Sequence, residues 1–128
     1  MYPSDRLYSK DHEWVRVEGD TCTLGITEFA QSELGEIVFV ELPEEGDSFE
    51  AHDEIGTVES VKAVAEVFTP VGGEIVEANE ILEERPELVN EDPHGEGWMV
   101  KMRIEPDSGE LDELMESDAY EEFVSGQG

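Results

Sequence analysis

The chain has 128 residues and a mass of 14.3 kDa, one domain's worth with no room for a second full core. It carries 35 acids against 7 bases, so 7 − 35 = −28 at neutral pH, a surface that repels nucleic-acid phosphate and anionic membrane alike. Leu, Ile, Val and Phe number 8, 6, 13 and 5, a quarter of the chain, above the ~20% below which highly charged chains are disordered.

The bases are unevenly placed. Arg6, Lys10 and Arg16 open the chain, Lys101 and Arg103 lie near the end of the β region, and residues 17–100 hold only Lys62 and Arg85. A high-salt cytoplasm in a halophilic prokaryote is the expected setting, since at ~1 M salt the Debye length is only ~3 Å. The N-terminus has no signal-peptide pattern, and the longest apolar run, residues 37–40, is far short of the ~20 residues a membrane helix needs. A cytoplasmic location follows as an expectation. Cys22 is the only cysteine, so no intrachain disulfide or cysteine-based zinc site forms. Its place between Thr21 and Thr23 reads as a small buried apolar residue.

In chain order, residues 14–18 alternate as a strand, Glu18-Gly19-Asp20 turns, and residues 21–26 run back as a second strand. Thr27 caps a short helix to Leu34, closed by Gly35, with Phe29, Ala30 and Leu34 on its apolar side. Residues 37–42 form a strand stopped by Pro43. Residues 55–60 and 63–68 form two strands joined by a tight turn at Val61-Lys62. Pro70-Val71-Gly72-Gly73 turns the chain into a strand over 74–79, and residues 83–97 read as an ordered loop. In residues 98–104 Trp98, Val100, Met102 and Ile104 face the core, with Lys101 and Arg103 outside. Ser108 caps an acidic helix over 108–123 with Leu111, Leu114, Met115, Ala119 and Phe123 as its apolar stripe, and the chain frays from Val124. The β region covers about 8–104, and residues 1–128 make a single domain.

No self-contained catalytic site assembles from these residues. His12-Glu13 lacks the second histidine of a zinc helix, because residue 16 is arginine. His52 and His94 lie in separate polar loops. Lys62 is the exception, a lone base where two strands meet among small and β-branched neighbours. As a surface lysine paired with Glu59 or Glu66 it is worth only ~0–1 kcal/mol. As a lysine on a rigid turn it is presented for covalent modification.

Several motifs in fixed order resemble the H proteins of the glycine cleavage system. They are His12-Glu13-Trp14-Val15, then residues 24–31 (LGITEFAQ), residues 34–43 (LGEIVFVELP), Glu59-Ser60-Val61-Lys62-Ala63, Gly73-Glu74, and residues 97–101 (GWMVK). The resemblance implies a mainly-β barrel-sandwich hybrid of the lipoyl/biotinyl-carrier type, with a short internal helix and a C-terminal α-helix. It implies lipoate amide-linked to Lys62 on a non-catalytic carrier. That carrier moves an aminomethyl group from the glycine decarboxylase (P protein) to the aminomethyltransferase (T protein), with reoxidation by dihydrolipoamide dehydrogenase (L protein). By the same matching Glu59 and Gly73 help the lipoyl-attaching enzyme, and Glu13 and Glu66 line the pocket for the loaded arm, both as exposed carboxylates. A biotinyl carrier modified at Lys101, a 2-oxoacid-dehydrogenase-type lipoyl domain and an unmodified interaction module with the same fold are the competing readings.

Overall fold

Period-two alternation in the first hundred residues yields a molecule built mainly from antiparallel strands, and the computed structural model describes residues 2–127. Strands β1 (Leu7–Tyr8), β2 (Glu13–Glu18) and β3 (Thr21–Ile26) pair in sequence, followed by helix α1 (Glu28–Leu34). Then come β4 (Ile37–Glu41), β5 (Ser48–Phe49), β6 (Glu54–Ser60), β7 (Val64–Phe68) and β8 (Gly73–Ala78). Helices α2 (Ile81–Glu84) and α3 (Leu88–Glu91) precede β9 (Val100–Ile104), a 3-10 helix (Glu110–Glu113) and α4 (Ser117–Gln127).

The strands form two sheets, ordered β1-β2-β3-β9-β8-β5 and β4-β6-β7, with every pairing antiparallel. One apolar core joins them. Val15, Leu24, Val100, Met102 and Ile75 of the larger sheet pack with Val40, Val58 and Val67 of the smaller one, and this burial is the main favourable term in folding. A second cluster of Tyr8, Trp14 and Tyr120 holds the C-terminal helix. Among the described residues no helix is long and apolar enough to cross a membrane.

The α1 caps form as the sequence predicts. The Ala30 N–H donates to Thr27 Oγ1 at 3.2 Å, and Gly35 closes the helix at φ 82°, its N–H bonded to the Gln31 carbonyl. Cys22 is buried, and that burial pushes its thiol up to about 12.

Three expectations need correction. The loop over 83–97 contains the single-turn helix α3, and the last residues of α2 enter it; helices this short carry no propensity signal of their own and form through burial of Leu82, Leu88 and Val89. Trp98 does not face the main core. Met99 takes that place, fully buried with its N–H on the Leu24 carbonyl, while Trp98 is half-buried beside the second cluster. The helix over 108–123 is not continuous. Gly109 at φ 92° and extended Leu114 break it into the 3-10 turn and α4, because Met115 exchanges two 2.8 Å backbone bonds with Tyr8. Ser108 accepts from the Glu110 N–H but caps only that turn. Ala119 is exposed, the buried side of α4 is Ser117 and Tyr120, and the helix runs on past Val124.

No base lies on the 3-10 turn or on α4, and Asp118 with Glu122 form a like-charge i,i+4 pair that costs a few tenths of a kcal/mol. Salt should therefore govern this end of the molecule. Amide exchange over residues 110–127 should quicken when salt drops from about 1 M to about 0.05 M, while the β core keeps its protection. Equal protection at both salt levels, with an unmoved melting temperature, would show that the acidic surface is indifferent to salt.

Candidate functional site

The β6–β7 hairpin is closed by its own serine. The Ser60 N–H donates to the Ala63 carbonyl at 2.7 Å, and Ser60 Oγ accepts from the N–H groups of Lys62 (3.3 Å) and Ala63 (3.0 Å). A serine hydroxyl that satisfies turn amides in this way fixes the turn without a glycine. The Val61 N–H also donates to the Glu36 carbonyl at 3.1 Å, bracing the tip on the start of β4. Val61, Lys62 and Ala63 are all exposed. A Cβ on Gly35 would lie 3.6 Å from Lys62 Cε, so the lysine stem passes over the end of α1.

That end of α1 is itself clamped. Asn90 donates to the Gly35 carbonyl and to Gln31 Oε1, each at 2.8 Å, and its Oδ1 accepts from the Ile37 N–H at 2.8 Å. Neither Ser60 nor Asn90 was singled out from the sequence. For Ser60 the available signal was a turn serine two residues before the lone lysine. Asn90 had none, because its partners are 53 to 59 residues away.

Glu59 lies in β6 directly opposite Phe39 of β4 and Val64 of β7, exposed and beside the turn. Glu66 is exposed on the same sheet face, opposite Thr57. Gly73 stands apart, in the other sheet at the start of β8, between Phe49 and Ile104. A Cβ there would run into the Arg103 carbonyl, so packing accounts for the glycine.

Glu13 departs most from expectation. It is 2% exposed rather than a surface carboxylate. Ser9 Oγ donates to Glu13 Oε1 at 2.6 Å, and the Phe68 N–H reaches Oε2 at 3.4 Å. Burial pushes its carboxyl up to about 7, opposed by the Ser9 bond and reinforced by nearby Asp11. It borders a cleft of about 290 Å³ walled also by Ser9, Lys10, Asp11, His52, Thr69 and Leu114. Glu66 and Lys62 are not part of that wall. No metal-binding group of His, Cys, Asp and Glu is found among the described residues.

The family model for the glycine cleavage H-protein matches residues 6–127. The chain belongs to the glycine cleavage H-protein family. The glycine cleavage system H protein of Staphylococcus carnosus is 55% identical over 122 residues, covering 95% of this chain and 96% of its own. That of Bacteroides thetaiotaomicron is 48% identical over 125 residues, 98% of each chain. A crystal structure of a glycine cleavage system H protein from Mycobacterium marinum superposes with a TM-score of 0.85 at 35% identity, covering 98% of both chains. The two-sheet architecture is therefore the barrel-sandwich hybrid of the H-protein family.

In this H-protein frame Lys101 is structural. It lies in β9 between two ladder neighbours, its Nζ 3.8 Å from Glu77 Oε1 and 5.0 Å over the Trp98 ring. No turn presents it.

The Glu13 environment carries a pH signature. The folded carboxyl keeps its proton to about pH 7 while the unfolded one loses it near 4.5. Between those values the folded state binds the extra proton, so stability from this group falls as pH rises from about 4.5 to about 7. Replacing it with Glu13→Gln should remove that loss, on the order of 3 kcal/mol across the window. Melting curves of both chains from pH 4.5 to 8 should diverge upward in favour of the variant; parallel curves would refute the buried, unpaired carboxyl.

Proposed function

We propose that the chain is the lipoyl carrier of a glycine cleavage system, with lipoate amide-linked to Lys62. The observation that supports this most is the hairpin, which holds one lysine exposed on a turn fixed from three sides. When attached, lipoate supplies a disulfide/dithiol that accepts an aminomethyl group derived from glycine, gives it up again and is reoxidised.

The chain's own residues supply position and shelter. Ser60 and Glu36 keep the attachment point rigid, and the lysine stem lies beside Gly35 at the end of α1. Glu59, next to the turn, is assigned to recognition by the lipoyl-attaching enzyme. The resemblance gives Gly73 a share in this; its close carbonyl means that a Gly73 variant also strains β8 against β9.

Glu13 and Glu66 are assigned to the aminomethyl cargo. That cargo is cationic at neutral pH. A cation entering the Glu13 cleft would make the carboxyl ionise, and one charge pair at 4 Å is worth about 4 kcal/mol at an effective dielectric of 20, against ~1 in water. A partly dry cleft also slows hydrolysis of the cargo. The partners of this reading are the glycine decarboxylase P protein, the aminomethyltransferase T protein, dihydrolipoamide dehydrogenase (the L protein) and the lipoyl-attaching enzyme. The chain itself is a cytoplasmic carrier and not an enzyme.

Intact mass tests the attachment. Incubation with a lipoyl-attaching enzyme should add one lipoyl group, lost in Lys62→Ala and kept in Lys101→Ala. Modification that survives Lys62→Ala would overturn the assignment.

The shelter has its own test. Carrier loaded from glycine should release formaldehyde to water several-fold faster in Glu13→Gln and in Glu66→Gln. Equal release from all three chains would remove both carboxylates from this role.

A further inference from the structure

The outer face of the β4-β6-β7 sheet carries an apolar row that the fold does not use. Phe39, Glu59 and Val64 stand directly opposite one another across three strands, so their side chains project to the same side. Phe39 is 50% exposed and Val64 65%, and Val61 on the adjoining turn is 68% exposed. These are among the largest apolar groups left in water, on a chain whose surface is otherwise crowded with acids. The next row on the same face is Glu41, Thr57 and Glu66, and Glu36 is exposed beside the turn. The only base in this stretch is Lys62 itself.

We propose that the Phe39–Glu59–Val64 row is the docking surface for the enzyme that acylates Lys62. The proposal rests on the reading that Lys62 carries lipoate. The enzyme's matching surface is an apolar floor around one Lys or Arg that meets Glu59. Reach selects this partner. Amide formation requires the acyl carbon at Lys62 Nζ, so the enzyme must sit on the hairpin and its neighbouring strands. An enzyme acting at the far end of a finished arm has no such need.

The step balances with ATP as co-reactant. The lipoate carboxylate is joined to AMP with loss of pyrophosphate. The neutral Lys62 amine then attacks the acyl carbon, the C–N bond forms, the C–O bond to AMP breaks, and one amine proton passes to solvent.

The test follows lipoyl addition by intact mass over time, with an ATP-dependent lipoate ligase, ATP and lipoate, at about 0.1 and about 1 M KCl. The chains are wild type, Phe39→Ser, Phe39→Leu, Val64→Thr, Glu59→Gln and Ile81→Ser. Ile81 is a 45% exposed apolar residue on α2 and serves as the control. Phe39→Ser and Val64→Thr should each lower kcat/KM about fivefold or more at both salt levels, as for truncation of an interface anchor. Phe39→Leu should keep most of the rate and Ile81→Ser all of it. Glu59→Gln should slow the reaction at low salt and much less at high salt. Melting temperatures should stay level, because these side chains are exposed. A wild-type chain that takes up no lipoyl group overturns the Lys62 reading and this proposal with it. A modified wild type with Phe39→Ser and Val64→Thr running at its rate overturns the docking row alone, as does a defect in those variants confined to later aminomethyl transfer.

Discussion

The structure depends on folding a chain in which acids outnumber bases 35 to 7. Ion pairing cannot neutralise such a surface. The five pairs among the described residues each use one of the few bases, and most are exposed, where a pair contributes ~0–1 kcal/mol. Cohesion has to come from apolar burial and from neutral hydrogen bonds. The shared core of the two sheets supplies the first.

The second is clearest at the C-terminal helix, which carries Asp118, Glu121 and Glu122 and no base. A phenol pins it. The Tyr120 hydroxyl lies 2.7 Å from both Thr27 Oγ1 and His12 Nδ1, and its ring stacks on Tyr8 with centroids 4.8 Å apart. A phenol holds one proton to give and lone pairs to accept with, so the one hydroxyl serves both contacts. Burial raises the Tyr120 pKa, so the phenol stays neutral. Where one base is used inside, it is used fully. Arg6 is 8% exposed, sits 4.5 Å over the Trp14 ring, and donates to the His94 carbonyl at 2.7 Å and to Asp5 at 2.9 Å.

Much of this was legible in the sequence, for physical reasons that vary by element. Alternation marks β9 because Val100, Met102 and Ile104 meet the core while Lys101 and Arg103 do not, and β3, buried on both sides, is marked by its β-forming residues after a turn. Thr27 and Gly35 mark α1 because caps are local chemistry. Lys62 stood out because bases are scarce and turns present side chains. The failures are tertiary. Leu7–Tyr8 is too short to alternate, and it becomes a strand only by pairing with β2. Tyr8 also breaks the C-terminal helix by capturing Met115. The burial of Glu13 was hidden for a related reason. The β2 strand is buried on both faces at its start, since Trp14 and Val15 are each covered by a different cluster, and parity alone cannot report a strand buried on both sides.

The scarcity of bases also bears on the site. Glu13 is buried with hydroxyl and amide donors and forms no ion pair among the described residues, although Lys10 lines the same cleft, an arrangement that costs stability once the carboxyl ionises. A lysine or arginine fixed against it would remove that cost and, on the proposed reading, would also fill the position a cationic cargo needs. Without a fixed ion pair the carboxyl holds its proton to about pH 7 and would ionise against a cation that enters the cleft. The hairpin face obeys the same logic in reverse. Acylation of Lys62 would convert its one base into a neutral amide, taking the chain from −28 to −28 − 1 = −29. The face around Phe39, Glu59 and Val64 would then carry acids alone. On the proposed reading the acylating enzyme would meet that face while it still holds a cation, and every later partner would meet it without one. A single lysine on an acidic sheet would therefore report its own modification through the surface charge around it, a distinction that a lysine-rich surface would bury among its other cations.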